Sequence, residues 1–177
     1  MTITPDTKDW TWVLERPCPD CGLDASSLTV ADQPGVVRDV AATFADVLAA
    51  GEATRTRPSP EVWSPLEYGC HVRDVLRRWD ARLRLMLTTD DPLFENWDQD
   101  ATAVDDAYAE QDPARVSAEL AEAAERLASA YAALPDEAWE RVGRRSDGAR
   151  FTVLTFARYG AHDLLHHVHD VTGARVS

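Results

Sequence analysis

The sequence predicts an all-α protein built as a four-helix bundle, and three observations support this fold class. Four long segments carry apolar residues at helical spacing, and the connections between them are modest in length. These segments begin or end at residues that are typical of helix caps. A chain of 177 residues, 45% of them hydrophobic, is also long enough to form one domain with its own core.

The first two predicted helices lie in the N-terminal half of the chain. The first follows Asp32 and ends near Gly51, and it carries an apolar stripe on one side. The second begins at residues 64–67, where the order Ser-Pro-Leu-Glu is typical of a capping box with proline at the first helical position. Its apolar spacing continues to about Thr88. We therefore expect two amphipathic helices separated by a proline-containing loop.

The other two predicted helices lie in the C-terminal half. The third begins at Asp112 and Pro113 and extends to Leu134. The fourth spans roughly Thr152 to Thr172 and is closed by a glycine. Residues 90–112 connect the second helix to the third. They contain nine acidic residues and no basic one, and their aromatic residues indicate a connection that is partly docked on the bundle.

The sequence divides into an N-terminal arm, which contains two of the three cysteines, and the helical bundle. Residues 1–31 predict an irregular N-terminal arm, and residues 32–177 predict the bundle. Cys18 and Cys21 of the arm lie in a CPDCG turn and have the spacing of half a zinc ribbon, but the second Cys-x-x-Cys pair is missing. A packed turn is the favoured interpretation, and metal binding or redox chemistry is the alternative. Cys70 is interpreted as a small core residue rather than a nucleophile.

The charge of the chain excludes several classes of partner. Eighteen basic residues against 31 acidic ones give a net charge of −13, which would repel nucleic acid from most of the surface. No apolar run approaches the roughly 18–20 residues of a membrane span, and the N-terminus lacks the layout of a signal peptide. We therefore expect a cytoplasmic protein with a small-molecule substrate and no membrane or nucleic-acid partner. A homodimer stays open as an alternative to a monomer.

Histidine is concentrated on one side of the fourth predicted helix. At about 100° per residue, His162, His166 and His169 lie within roughly 60° of one another. The same stripe continues toward the start of the helix through Thr155 and Tyr159. The remaining polar residues of this segment point well away from the stripe, and they are Asp163, His167 and Asp170.

This stripe predicts a metal site. Two imidazoles at positions i and i+4 of a helix lie close enough to hold one ion, but two ligands bind weakly. The remaining histidine of the chain, His71, lies at the edge of the apolar face of the second helix. We therefore predict His71, His162 and His166 as metal ligands, with His169 as a substitute ligand or a residue that supports them. The alternative is a solvated polar helix face.

The sequence also resembles a known family. Residues 63–71 (WSPLEYGCH), followed 91 residues after His71 by His162-x-x-x-His166, are similar to the DinB-like superfamily of DinB/YfiT-like metalloenzymes. The resemblance extends over residues 32–173, and residues 96–100 and 151–153 are similar to actinobacterial members. It implies a four-helix bundle with zinc or nickel bound by His71, His162 and His166. Some relatives have a carboxylate in place of His162.

The resemblance also implies an activity. The superfamily includes thiol-dependent S-transferases and mycothiol-dependent maleylpyruvate isomerase, so it implies a metal-dependent transfer or isomerisation on a small electrophile. A metal with open positions lowers the pKa of a bound thiol or water and so makes a nucleophile at neutral pH. In actinobacteria this thiol would be mycothiol, delivered as a cosubstrate. One alternative is a metal-dependent hydrolase in which water attacks. The other is a metal- or ligand-binding bundle without enzymatic activity.

Five further residues are candidates for contact with a substrate. Tyr159 and Thr155 could orient it, although ordinary packing within the bundle is the alternative. Asp98 could act as a general base if its acidic connection folds inward, and a solvated loop is the alternative. Arg78, like Arg82 one turn further along the same helix, could receive an anionic group or pair with surface carboxylates.

Overall fold

The computed structural model describes residue 3 and residues 9–176. Residues 1, 2, 4–8 and 177, which belong to the predicted arm and to the predicted bundle, lie outside this range. The described residues form five α-helices and one small sheet. The helices are α1 (Gln33–Leu48), α2 (Pro65–Thr88), α3 (Gln99–Asp105), α4 (Pro113–Ala132) and α5 (Val153–Thr172), and the strands are β1 (Leu93–Phe94), β2 (Val142–Arg145) and β3 (Arg150–Thr152).

The four long helices confirm the predicted bundle, but they do not follow one another around it. α1 packs against α4, α4 against α2, α2 against α5 and α5 against α1. The first two long helices, α1 and α2, therefore lie diagonally across the bundle from each other. This arrangement puts α2 and α5 side by side, which brings the histidines of the two helices together.

Helix starts are fixed by local hydrogen bonds, as the sequence predicts. The Ser64 hydroxyl accepts a hydrogen bond from the Glu67 N–H at 3.2 Å, and the Glu67 carboxylate accepts one from the Ser64 N–H at 2.8 Å. The same reciprocal arrangement joins Thr152 and Thr155 at the start of α5. Gly173 ends α5 with φ of +71°, the left-handed conformation that favours glycine.

A three-stranded sheet at one end of the bundle is the main departure from the predicted all-α class. β1 pairs with β2 in parallel, and β2 pairs with β3 in an antiparallel hairpin. The hairpin turns at Asp147 and Gly148, as predicted, and the Gly148 N–H donates to the Arg145 carbonyl at 2.9 Å. Strands of two to four residues are too short to show an alternating pattern in the sequence.

The core lies between the four long helices. Its fully buried members come from all of them, and they include Phe44, Leu76, Leu127 and Phe156. Cys70 is also fully buried, in a smaller apolar cluster, which confirms its interpretation as a core residue. Within the described residues, none of the helices combines the length and the apolar composition that a bilayer-crossing segment needs.

The arm docks on α5. Its two short 3-10 turns, Thr11–Leu14 and Ala25–Ser27, both contact this helix. The C-terminus meets the arm at the same place, because the Val176 N–H donates to the Cys21 carbonyl at 2.8 Å. The described part of the arm is therefore a wall of the bundle beside α5.

Candidate metal centres and their pocket

A cavity of about 770 Å³ opens beside α5. Four tryptophans of four different segments line it, and these are Trp10 of the arm, Trp63 before α2, Trp79 of α2 and Trp97 of the acidic connection. Acidic, histidine and arginine side chains complete the lining. The cavity is partly open, and its wall combines aromatic side chains with many charged and polar ones, so it suits a small polar molecule better than an apolar one.

Two groups of potential metal ligands lie beside this cavity. The carboxylate–histidine cluster consists of His71, Asp163 and His167, and the cysteine–histidine cluster consists of Cys18, Cys21, His162 and His166. In each cluster, the ligand atoms lie within 4.8 Å of one another.

In the carboxylate–histidine cluster, the distances are too long for hydrogen bonds but short enough for a shared ion. His71 Nε2 lies 3.9 Å from Asp163 Oδ2, and His167 Nε2 lies 3.8 Å from Asp163 Oδ1. Ligand atoms at about 2.0–2.2 Å from one ion can be separated by such distances. Asp163 and His167 line the cavity, whereas His71 lies behind them.

His71 is the most unusual residue of this cluster. Its side chain is 0% exposed, and neither ring nitrogen has a hydrogen-bond partner. The ring stacks on Trp97 at a centroid distance of 5.3 Å and contacts Trp63 at 5.1 Å. Burial, and secondarily His167, lowers the pKa of His71 well below its usual value. The imidazole is therefore neutral, which is the form that binds a metal.

Asp170 orients His167. The Nδ1 atom of His167 donates to the Asp170 carboxylate at 2.9 Å, which directs Nε2 toward Asp163. Metal-binding histidines typically donate their second nitrogen to a carboxylate in this way. Although burial opposes it, the hydrogen bond and charge of His167 hold the pKa of Asp170 below its usual value.

In the cysteine–histidine cluster, a turn of the arm faces one side of α5. The Cys18 N–H donates to the Leu23 carbonyl, and the Gly22 N–H donates back to the Cys18 carbonyl, both at 2.9 Å. Gly22 has φ of +86°, which allows the turn to bring both thiols to the same side. Burial raises the pKa of the Cys21 thiol to about 11 and lowers the pKa of His162 to about 4.

The structure divides the predicted metal ligands between these two clusters. His162 and His166 lie with the two cysteines, and His71 lies with Asp163 and His167. Within the described residues, the predicted trio therefore does not form one group. The reason is that neighbouring residues of a helix point about 100° apart, and it is the face with Asp163 and His167 that meets α2. His71 and His167 have ring centroids 4.7 Å apart.

Three of the predicted substrate contacts line the cavity: Tyr159, Asp98 and Arg82. The Tyr159 hydroxyl faces it and accepts a hydrogen bond from Arg145 at 3.3 Å. Asp98 lies at its edge, where its carboxylate also caps α3 by accepting from the Ala101 N–H at 2.9 Å. The acidic connection therefore folds over the pocket, and it is not the solvated loop that was the alternative for Asp98.

The other predicted contacts have structural partners and are absent from the described lining. Thr155 belongs to the capping box of α5. His169 donates from Nδ1 to the Ala174 carbonyl at 2.9 Å and so secures the end of the helix. Arg78 packs its guanidinium carbon 4.4 Å from the centre of the Trp97 ring.

Two arginines line the pocket wall, and one of them, Arg82, is a predicted candidate. Arg82 donates to the Glu95 carbonyl at 2.6 Å, and no carboxylate of the described residues lies within ion-pair distance of it. Burial, together with Arg78 and Arg145, lowers its pKa to about 10, so the guanidinium still carries its charge at neutral pH. Arg145, which pairs with Asp147, was missed by sequence analysis because β2 shows no recognisable pattern.

Comparison with known proteins agrees with this architecture. The search of curated proteins found no match. YfiT from Bacillus subtilis, described as a probable metal-dependent hydrolase with an unusual four-helix bundle topology, has a similar structure, with a TM-score of 0.71 and 18% sequence identity. The similarity covers 83% of this chain and 89% of that one, and it shows the fold. The family profile described as DinB superfamily matches residues 36–171. The chain therefore belongs to the DinB superfamily.

Proposed function

We propose that this protein is a metal-dependent hydrolase, with a divalent ion held by His71, Asp163 and His167 at the base of the pocket. The observation that carries this proposal is the state of His71. A fully buried imidazole with two unpartnered nitrogens costs free energy, and a metal ion at Nε2 would satisfy one of them. The Asp163 oxygen that faces Nε2 of His71 is a metal-ligand atom, and so is Nε2 of His167, which faces the other oxygen of the same carboxylate.

The donor set suits a catalytic ion better than a structural one. Two imidazoles and one carboxylate leave coordination positions open, as in catalytic zinc sites, whereas structural zinc sites have four protein ligands. An ion held in this way lowers the pKa of bound water and supplies a nucleophile at neutral pH. Hydrolysis is the preferred reaction because the structurally similar YfiT is described as a probable metal-dependent hydrolase.

The surrounding residues support this chemistry in three ways. Asp170 holds His167 in the orientation that binds an ion. Trp63 and Trp97 cover His71 and keep water from its buried side. The pocket then leaves Asp163 and His167 accessible to a substrate.

Arg82 would select the substrate. The buried guanidinium of Arg82 forms no ion pair with a described carboxylate and lines the same pocket as the metal ligands, so it is available to an anionic group. The preferred substrate is therefore a small ester or amide with a carboxylate at one end. Arg82→Gln should lower kcat/KM for a carboxylated ester by about 10–100-fold, the value of a charge-assisted hydrogen bond, and leave a neutral ester of the same size nearly unchanged.

The proposal is tested by metal content and hydrolysis together. The untagged protein would be assayed against chromogenic esters and amides after loading with zinc or nickel, with a chelator and without. We expect hydrolysis that is lost on chelation, restored by the metal, and reduced at least about 100-fold in His167→Ala. His169→Ala, on the same helix but bonded to the Ala174 carbonyl, is the matched control and should retain full activity.

A parallel assay separates hydrolysis from the thiol-dependent transfer that the family resemblance implies. The same preparations would receive a small electrophile with and without mycothiol. Turnover that requires the thiol, with no hydrolysis of any ester or amide, would overturn the hydrolase proposal but keep the ion. Full hydrolysis by His167→Ala would overturn the assignment of the carboxylate–histidine cluster.

A further inference from the structure

A second group of metal ligands lies outside the proposed catalytic cluster and joins the arm to the bundle. Cys18 and Cys21 come from the arm, and His162 and His166 come from one face of α5. All four ligand atoms lie within 4.8 Å of one another. Both cysteines precede residues 36–171, the segment that matches the family profile.

The spacing of these atoms fits a tetrahedral ion. Cys18 Sγ lies 3.7 Å from His166 Nδ1. With Zn–S near 2.3 Å and Zn–N near 2.0–2.1 Å, a tetrahedral angle separates sulfur and nitrogen by about 3.6 Å. The distance is that of a thiol–imidazole hydrogen bond, and it is also close to the separation of two ligands of one zinc ion.

The cluster is shielded from water, and one of its four ligand atoms has no hydrogen-bond partner. Cys18, Cys21 and His162 are 1%, 0% and 3% exposed. The Nε2 atom of His162 is buried and has no hydrogen-bond partner. Leaving a buried polar atom without a partner costs about 1–3 kcal/mol, and a metal ion would remove this cost.

The sequence spacings are those of a structural zinc site. Cys-x-x-Cys in a tight turn presents two sulfurs to one side, and His-x-x-x-His on a helix presents two imidazoles one turn apart. Two thiolates and two imidazoles fill all four positions of a tetrahedral ion, so such a site is closed. Both cysteines are free thiols in this structure.

We propose that Cys18, Cys21, His162 and His166 bind one structural zinc ion that fastens the arm to α5. This ion is distinct from the one at the carboxylate–histidine cluster. The zinc ion of the arm would also help to shape the pocket, because two of its ligands, His162 and His166, line it. Trp10 of the arm lines the cavity and packs on the rings of His162 and His166 at centroid distances of 5.5 and 5.2 Å.

Metal analysis and cobalt substitution test this site independently of any activity. Untagged protein grown with ample zinc should contain one more equivalent of metal than Cys18→Ser or Cys21→Ser. When cobalt replaces zinc, the wild type should show the near-ultraviolet charge-transfer absorption of a cobalt thiolate. His167→Ala should keep this absorption, because the carboxylate–histidine cluster contains no sulfur. Cys70→Ala, which removes the buried cysteine outside the cluster, is the matched control and should also keep it.

A second measurement uses only the wild type, so it remains informative if the cysteine variants fold poorly. In the wild type loaded with zinc, a thiol-reactive reagent should label Cys18 and Cys21 slowly, and a chelator should speed this labelling at least about tenfold, because the zinc holds both thiolates. Labelling that is unaffected by the chelator, or a Cys18–Cys21 disulfide with no bound metal, would overturn the zinc site. If His71→Ala loses one equivalent of metal and keeps the cobalt–thiolate signal, the lost ion is the one at the carboxylate–histidine cluster, and the zinc site of the arm is supported as a separate site.

Discussion

The packing of α5 against α2 makes a sharp prediction at Gly160. A Cβ atom at this position would lie closest to the indole nitrogen of Trp79, with its Cδ1 at 2.6 Å and Cε2 at 2.8 Å. Because carbon atoms normally approach to about 3.5–4.0 Å, Gly160→Ala produces an overlap of about 1 Å. Trp79 has little room to retreat, since it is 6% exposed and its Nε1–H donates to the Phe156 carbonyl at 3.1 Å.

The expected magnitude follows from three contributions. Overpacking of a core costs about 1–3 kcal/mol, and loss of the Trp79 hydrogen bond costs about 1 kcal/mol more. Replacing glycine by alanine in a helix returns about 1 kcal/mol. We therefore expect Gly160→Ala to lower the free energy of unfolding by about 1–3 kcal/mol, and Tm by about 2–12 °C for a chain of this size.

The matched control is Gly35→Ala in α1. No heavy atom lies within 4 Å of the added Cβ there, so only the helix propensity changes and stability should rise by up to about 1 kcal/mol. Both variants would be compared with the wild type by urea unfolding followed by circular dichroism. If Gly160→Ala matched or exceeded the stability of the wild type, the close contact between α2 and α5 would be refuted.

Three further predictions concern buried polar contacts of α2, the helix that carries His71. Glu67→Ala should cost about 2–4 kcal/mol in urea unfolding, because it removes a buried carboxylate that caps α2 at Ser64 and pairs with Arg57. The pKa of Glu67 is lowered despite its burial, so its stabilisation is present above its usual value of 4.5 and is lost as the pH falls below it. The stability gap between wild type and Glu67→Gln should therefore begin to narrow as the pH falls through about 4.5, and a constant gap would contradict this sign. Tyr108→Phe should cost about 1.5–3 kcal/mol by the same assay, because the hydroxyl donates to the Asp74 carboxylate at 2.6 Å, and an unchanged midpoint would show that this bond contributes nothing.

The long helices could be predicted from the sequence because their signals are local. The capping boxes and the proline at the start of α2 and α4 fix the helix ends, and the apolar spacing fixes the faces. The sheet could not be predicted in this way. β1 pairs with β2 across nearly fifty residues of chain, and neither strand is long enough to carry a periodic pattern.

The candidate site was predictable in its residue types but not in its grouping. His71 and the histidines of α5 stand out in the sequence, as does the Cys-x-x-Cys turn. Their partition depends on the rotation of α5 about its own axis and on the docking of the arm, and both are set by tertiary packing. A shift of one residue along α5 exchanges His162 and His166 for Asp163 and His167.

The two clusters are joined through Asp170, and this explains why one helix can serve both. One carboxylate oxygen accepts from His167 Nδ1 at 2.9 Å, and the other lies 3.9 Å from His166 Nε2. His166 belongs to the cysteine–histidine cluster and His167 to the carboxylate–histidine cluster, so one carboxylate faces the outer nitrogens of both. An ion that fixes His166 would therefore also restrict Asp170, and through it the orientation of His167. The cysteines of the arm would then act on the catalytic ion at a distance, by holding one side of α5 while the other side binds.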